Sequence, residues 1–138
     1  MKVKKHFTAN CASPYEGIDW DTRSSEIRNP DGELIFKQEG ASVPSSWSQI
    51  ATDIISQKYF RKAGVPLEDG KTGGESDARQ VFHRLSYTWT EWGKKAGYFD
   101  TDKDADAFYD EICFMLSRQM AAPNSPQWFN TGLYDVYG

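Results

Sequence analysis

Thr101-Asp102-Lys103-Asp104-Ala105-Asp106-Ala107-Phe108-Tyr109-Asp110-Glu111-Ile112-Cys113-Phe114-Met115-Leu116-Ser117-Arg118-Gln119-Met120 is the stretch on which the reading of the fold turns. Thr101 and Asp104 have the spacing of a capping box, in which each side chain satisfies a backbone N–H of the other. Asp102 and Asp104 also complement the positive end of the helix dipole. Ala105, Phe108, Tyr109, Ile112, Leu116 and Met120 recur every three to four residues, so they share one face. Arg118 lies in the last turn, where a cation is favoured, and Pro123 is expected to stop the helix.

Two more helical stretches precede it. Over residues 76–92, Val81, Phe82, Leu85, Thr88, Trp89 and Trp92 line one face, and Gly93 and Gly97 break the pattern. After Pro44, Ser46 and Gln49 have capping-box spacing. Trp47, Ile50, Ala51, Ile54, Ile55, Tyr59 and Phe60 then form an apolar stripe, closed by Gly64 and Pro66. Residues 25–40 read as a β-hairpin around Asn29-Pro30-Asp31-Gly32, a strong turn signal. Residues 1–24 have no period and read as an extended arm that needs a surface to order it. The expected fold is mainly α: three principal helices preceded by a small β-hairpin, with extended N- and C-terminal segments. The expected division is an arm over 1–24, a helical domain with its hairpin over 25–122, and a separate segment over 123–138.

Composition narrows the function. The net charge is −4 and the pI about 5.1. A protein that binds a phosphate backbone carries a surplus of Lys and Arg, so no nucleic-acid partner is expected. No apolar run is long enough to span a membrane, and the basic start Met1-Lys2-Val3-Lys4-Lys5-His6 is followed by none of the apolar stretch of a signal peptide. No membrane partner and a cytoplasmic location are expected. Cys11 and Cys113 are far apart and form no metal-ligand spacing with His6 or His83, which points to two reduced thiols.

Catalytic motifs are missing: there is no GxGxxG, no P-loop and no HExxH. Asp100, Asp102, Asp104, Asp106, Asp110 and Glu111 suggest a calcium loop, but the Gly and terminal Glu of an EF-hand are out of register. A solvated first helical turn accounts for them, and no metal is expected. Arg79, Arg84 and Arg118 are expected to pair with acids, His83 to be a partly exposed helix residue, and Cys113 to be a buried thiol.

The tail differs in character. Ala121-Ala122-Pro123-Asn124-Ser125-Pro126-Gln127-Trp128-Phe129-Asn130-Thr131-Gly132 presents an amide and a hydroxyl between two prolines. Such groups on a stiff backbone suit neutral hydrogen bonds to a sugar or phosphate oxygen. A plain turn, with Asn and Ser capping their own backbone, explains the same residues. The stretch reads as an irregular loop followed by a short strand.

Gln119 through Leu133, with Pro123-Asn124-Ser125-Pro126 at its centre, resembles the hallmark segment of class II ribonucleotide reductases. Upstream, Ser25-Glu26-Ile27-Arg28-Asn29-Pro30-Asp31-Gly32 is similar to that family's N-terminal hairpin. Val43-Pro44-Ser45-Ser46-Trp47 and Gln57-Lys58-Tyr59-Phe60-Arg61 resemble its first helix. Gly73-Gly74-Glu75, Gln80-Val81-Phe82, Trp92-Gly93 and Gly97-Tyr98-Phe99 follow in family order. Residues 67–71 look shorter than the matching insertion in many relatives, and Asp77 stands where a hydroxyl residue is more usual.

The resemblance implies an enzyme that makes deoxyribonucleotides from ribonucleoside diphosphates or triphosphates, using adenosylcobalamin to start a radical reaction. It implies that the radical cysteine, its helpers and the reducing cysteine pair lie on a barrel beyond this chain, so no catalytic residue and no cobalamin ligand is expected here. Ser125 is then the first candidate to bind the ribonucleotide substrate, with Asn124 and Asn130 weaker, and residues 129–133 would lead into the first barrel strand. The partners implied are the barrel domain, on the same chain or a separate subunit, and a second copy of the intact enzyme in a homodimer. Two other functions compete: a separately encoded helical subunit that docks on a reductase barrel, and a calcium-binding regulatory domain.

Overall fold

A computed structural model describes all 138 residues. The chain forms two compact units: Ile18–Val81, and Met1–Gly17 together with Phe82–Gly138. The mainly α architecture with a preceding hairpin is the one expected.

In the Ile18–Val81 unit, β1 (Trp20–Arg28) and β2 (Leu34–Pro44) pair antiparallel, from Trp20 opposite Pro44 to Arg28 opposite Leu34. Asn29-Pro30-Asp31-Gly32 makes the turn: the Asn29 N–H donates to the Glu33 carbonyl at 2.7 Å, and Gly32 takes φ 88°. The hairpin is longer than expected and takes in residues 20–24 of the anticipated arm. Buried Ala41 and Val43 give it one apolar face near its open end, while Ile35 at the other end is 61% exposed.

Arg23 ties the hairpin to the helix that follows. Its guanidinium donates to the carbonyls of Trp47 (2.6 Å) and Ser45 (3.0 Å) and to the Thr52 hydroxyl (2.9 Å). That helix, α1 (Gln49–Ile54), is capped by Ser48, whose hydroxyl accepts from the Ala51 N–H. The expected Ser46/Gln49 box therefore does not form, and the Gln49 amide donates instead to the Ser24 carbonyl and the Asp53 carboxylate.

From Ile55 to Tyr59 the helix widens into a π turn, closed by the Phe60 N–H on the Ile55 carbonyl at 2.8 Å. The buried face is Thr52, Ile55, Ser56 and Phe60, and Ile50 of the anticipated stripe is 71% exposed. Beyond it, β3 (Val65–Pro66) pairs with β4 (Thr72–Gly73). Buried Glu75 accepts the Arg61 N–H at 2.8 Å, and its own N–H donates to the Arg61 carbonyl at 2.7 Å. Gly74 permits this approach, because a Cβ there would lie 3.0 Å from the Arg61 carbonyl oxygen.

Helix α2 (Ala78–Lys95) opens in this unit and continues into the other. It runs through Gly93, which does not break it. The missing side chain makes room for Phe99, whose ring would lie 2.6 Å from a Cβ. Helix α3 (Asp102–Ser117) carries the anticipated capping box between Thr101 and Asp104. It ends before Pro123, at a Schellman turn. There Gln119 adopts φ 57°, its N–H donates to the Leu116 carbonyl, and the Met120 N–H donates to the Met115 carbonyl. Phe82, Leu85, Ala105, Ala107, Cys113 and Leu116 are buried in this unit.

The N-terminal arm lies on α3 of its own chain. The buried Glu111 carboxylate accepts the N–H groups of His6, Phe7 and Thr8 and the Thr8 hydroxyl. Asp104 accepts the Val3 N–H at 2.9 Å, and Arg118 donates to the carbonyls of Pro14 and Glu16.

Candidate functional site

The tail does not fold as a loop and strand. Ser125–Asn130 forms a short helix, α4, and Leu133–Tyr137 another, α5. Pro126 explains the change: its fixed φ and missing N–H suit the first turn of a helix, so the Pro bracket nucleates one. Asn124 takes the N-cap position with φ −69° and ψ 164°, and its carbonyl accepts the Gln127 N–H at 3.1 Å. Its side chain makes no capping hydrogen bond.

Asn124, Ser125 and Asn130 are all exposed. Asn124 and Ser125 sit together at the start of α4. Asn130 is five residues further on, roughly 140° around the helix from Ser125, and does not converge with them. At the other end of α4, the buried Arg84 guanidinium donates to the Thr131 carbonyl at 2.9 Å. An apolar cleft of about 180 Å³, lined by Trp89, Ile112, Met115, Leu116, Ala121, Ala122 and Pro123, precedes Asn124. It is too small for a nucleotide.

The remaining candidates have structural partners. Arg79 pairs with Asp77 at 2.8 Å and stacks on Trp20. Arg84 reaches the Thr131 carbonyl, and Arg118 reaches the carbonyls of Pro14 and Glu16. Within the acidic cluster, Asp104 caps α3 and Asp110 pairs with Lys5 at 2.9 Å, while Asp100 pairs with the N-terminal amine. No three His, Cys, Asp or Glu side chains converge as metal ligands. The Val3 N–H on Asp104, helped by the Thr101 hydroxyl, holds its carboxyl below the usual carboxylate range.

His83 does have a partner: its Nδ1 lies 2.8 Å from the Tyr109 hydroxyl, and burial lowers its pKa. Cys113 is fully buried with the hydroxyls of Ser86, Tyr15 and Tyr109 as polar neighbours, and burial pushes its thiol up. That is an inert thiol, not a poised nucleophile. A second cleft, of about 480 Å³, is lined by Lys2, Val3, Lys4, Lys5, Ala9, Lys103, Asp104 and Ala107. The alternation of Lys2, Lys4 and Lys5 is visible in the sequence, but nothing local says that Lys103 joins them.

The chain matches the family model described as Class II vitamin B12-dependent ribonucleotide reductase over residues 21–119. The vitamin B12-dependent ribonucleotide reductase of Bradyrhizobium diazoefficiens is 46% identical over 166 aligned residues, which take in 100% of this chain and 13% of that protein. The enzyme of Agrobacterium fabrum is 44% identical with the same coverage. That of Rhodopirellula baltica is 40% identical over 91% of this chain and 12% of its own length. The family model stops before Asn124, whereas the two full-coverage relatives extend across it. The chain spans about 13% of the length of these relatives. No helix is long and apolar enough to cross a membrane. On the extent of the family match and the identity to these enzymes, the chain belongs to the class II vitamin B12-dependent ribonucleotide reductase family, as its N-terminal region.

Proposed function

We propose that this chain is the N-terminal segment of a cytoplasmic reductase that makes deoxyribonucleotides from ribonucleoside diphosphates or triphosphates, and that Asn124 and Ser125 present hydrogen-bonding groups to that substrate. The relatives' names carry the activity. The observation that carries the site is the start of α4: Asn124 stands where a side-chain cap belongs, makes no cap bond, and stays exposed beside Ser125. A plain turn would have used that amide on its own backbone. Asn130, at the far end of the helix, is a weaker contact.

Adenosylcobalamin would supply the radical that starts the reduction in the intact enzyme. By this reading the residues that hold the cofactor lie beyond this segment. Its own contribution is binding and orientation. The rest of the enzyme is a same-chain barrel domain by this reading, since the relatives are single long proteins.

The test is Ser125→Ala in the complete reductase. Loss of one substrate hydrogen bond should raise KM about tenfold with kcat little changed. An unchanged KM would remove Ser125 from the site. Turnover by the 138-residue chain alone would overturn the whole reading.

A further inference from the structure

We infer that Arg84 and Gly132 are positioning residues that set substrate affinity by holding α4, and with it Asn124 and Ser125, against α2. The inference rests on the substrate reading above. It starts from a weakness of α4. Six residues are far too few to make a stable helix alone. This one buries none of its residues, and its first turn lacks a side-chain cap. Its direction is therefore sensitive to how its C-terminal end is attached.

The C-terminal attachment is a two-sided grip on one residue of α2. From one side the Arg84 guanidinium, fully buried, donates to the carbonyl of Thr131, the residue that ends α4. From the other, the backbone of Gly132 lies directly on the backbone of Arg84. A Cβ on Gly132 would stand 2.3 Å from the Arg84 carbonyl oxygen and 2.8 Å from its Cβ. Gly132 also holds φ 86°, a conformation that other residues rarely adopt. Glycine is required there twice over, for space and for conformation. A buried cation is retained only where its donors find acceptors, and the planar guanidinium delivers one at a fixed angle that a lysine ammonium does not reproduce.

The grip acts on Ser125 through a lever. Six residues of helix rise put Ser125 about 9 Å from Thr131, so a tilt of about 10° moves it by about 1.5 Å. A displacement of that size is enough to lose a positioned hydrogen bond, and 1 Å errors can cost about 100-fold.

Gly132→Ala, Arg84→Gln and Arg84→Lys test this with two readouts. The first is amide exchange of the tail in the 138-residue chain. The second is steady-state kinetics of the complete reductase, with Ser125→Ala run in parallel. In Gly132→Ala and Arg84→Gln, the N–H groups of Gln127 and Thr131 should exchange about tenfold faster while those of α3 are unchanged. KM should rise about tenfold with kcat within about threefold, and Arg84→Lys should recover part of it. A merely structural role would lower the amount of active enzyme and leave KM alone.

Unchanged tail exchange in Gly132→Ala overturns the grip, and that variant leaves the Arg84 side chain in place if Arg84→Gln fails to fold. Faster exchange with an unmoved KM, where Ser125→Ala does raise KM, overturns positioning and spares the substrate reading. No effect of Ser125→Ala overturns the substrate reading instead, and the exchange data still judge the grip.

Discussion

The two ends of the Met1–Gly17, Phe82–Gly138 unit are attached to its helices in opposite ways. The N-terminal arm gives its backbone to side chains of α3: Glu111 takes three successive N–H groups, Asp104 takes a fourth, and Arg118 covers two carbonyls. Every one of those polar side chains is occupied by the fold. The tail is gripped at Thr131 and Gly132, and its amide and hydroxyl at Asn124 and Ser125 face outward. By the substrate reading proposed above, polar residues that complete the fold are thereby separated from those offered to a ligand. For Asn124 the missing cap bond makes that distinction, where exposure alone does not.

The strongest way to break the comparison is Glu111→Ala. It leaves the N–H groups of His6, Phe7 and buried Thr8 without their carboxylate, and should cost about 3 kcal/mol in denaturant unfolding and release the arm to exchange. A cost below about 1 kcal/mol would mean that the arm is held by its apolar contacts, such as the Phe7 ring stacked on Phe114.

Gln119→Gly works at the point where α3 hands the chain to the tail. Glycine adopts φ 57° without the side-chain penalty, so the variant should gain about 0.5–1 kcal/mol and sharpen the tail's exit.

A smaller effect is expected from pH. Burial lowers the His83 pKa, so the unfolded chain takes up the proton more readily. Stability should be intact above about pH 6.5 and fall as pH drops through the lowered folded pKa, and His83→Gln should flatten that slope in melting curves.

Asn124→Ala should do least: with no cap bond to lose, the change in stability should stay within about 0.5 kcal/mol. Substantial destabilisation would show that the tail's polar groups belong to the fold after all.

What could be read from the sequence follows from the range of the interactions involved. The Thr101/Asp104 box and the Asn29-Pro30-Asp31-Gly32 turn are local, and both stand as expected. Ser46/Gln49 had the right spacing but the wrong register, because three serines compete at that start and Ser48 holds the cap. The tail is helical where the sequence reads as loop and strand, because Pro126 sits at a position in the first turn that a helix tolerates. The partners of His83, Arg84 and Glu111 lie 26, 47 and about 100 residues away. No periodicity announces such pairs. For the candidate site, the residue types can be read locally, whereas the contacts of Arg84 with Thr131 and Gly132 cannot.

The π turn at Ile55–Tyr59 makes the segment after Pro44 a vernier. It carries one residue more than an α-helical turn, so everything after it is rotated by about 100° relative to what precedes it. Ile50 and Ile54 already lie about 140° and 100° from Ile55 by ordinary α-helical geometry, so a single stripe drawn through all three could not be buried at once. The extra residue brings Phe60, five positions on, back to the face of Ile55, where an unbroken α-helix would place it about 140° away. Chain length at this point is held by the angular setting of the side chains beyond it, not by the distance to be spanned.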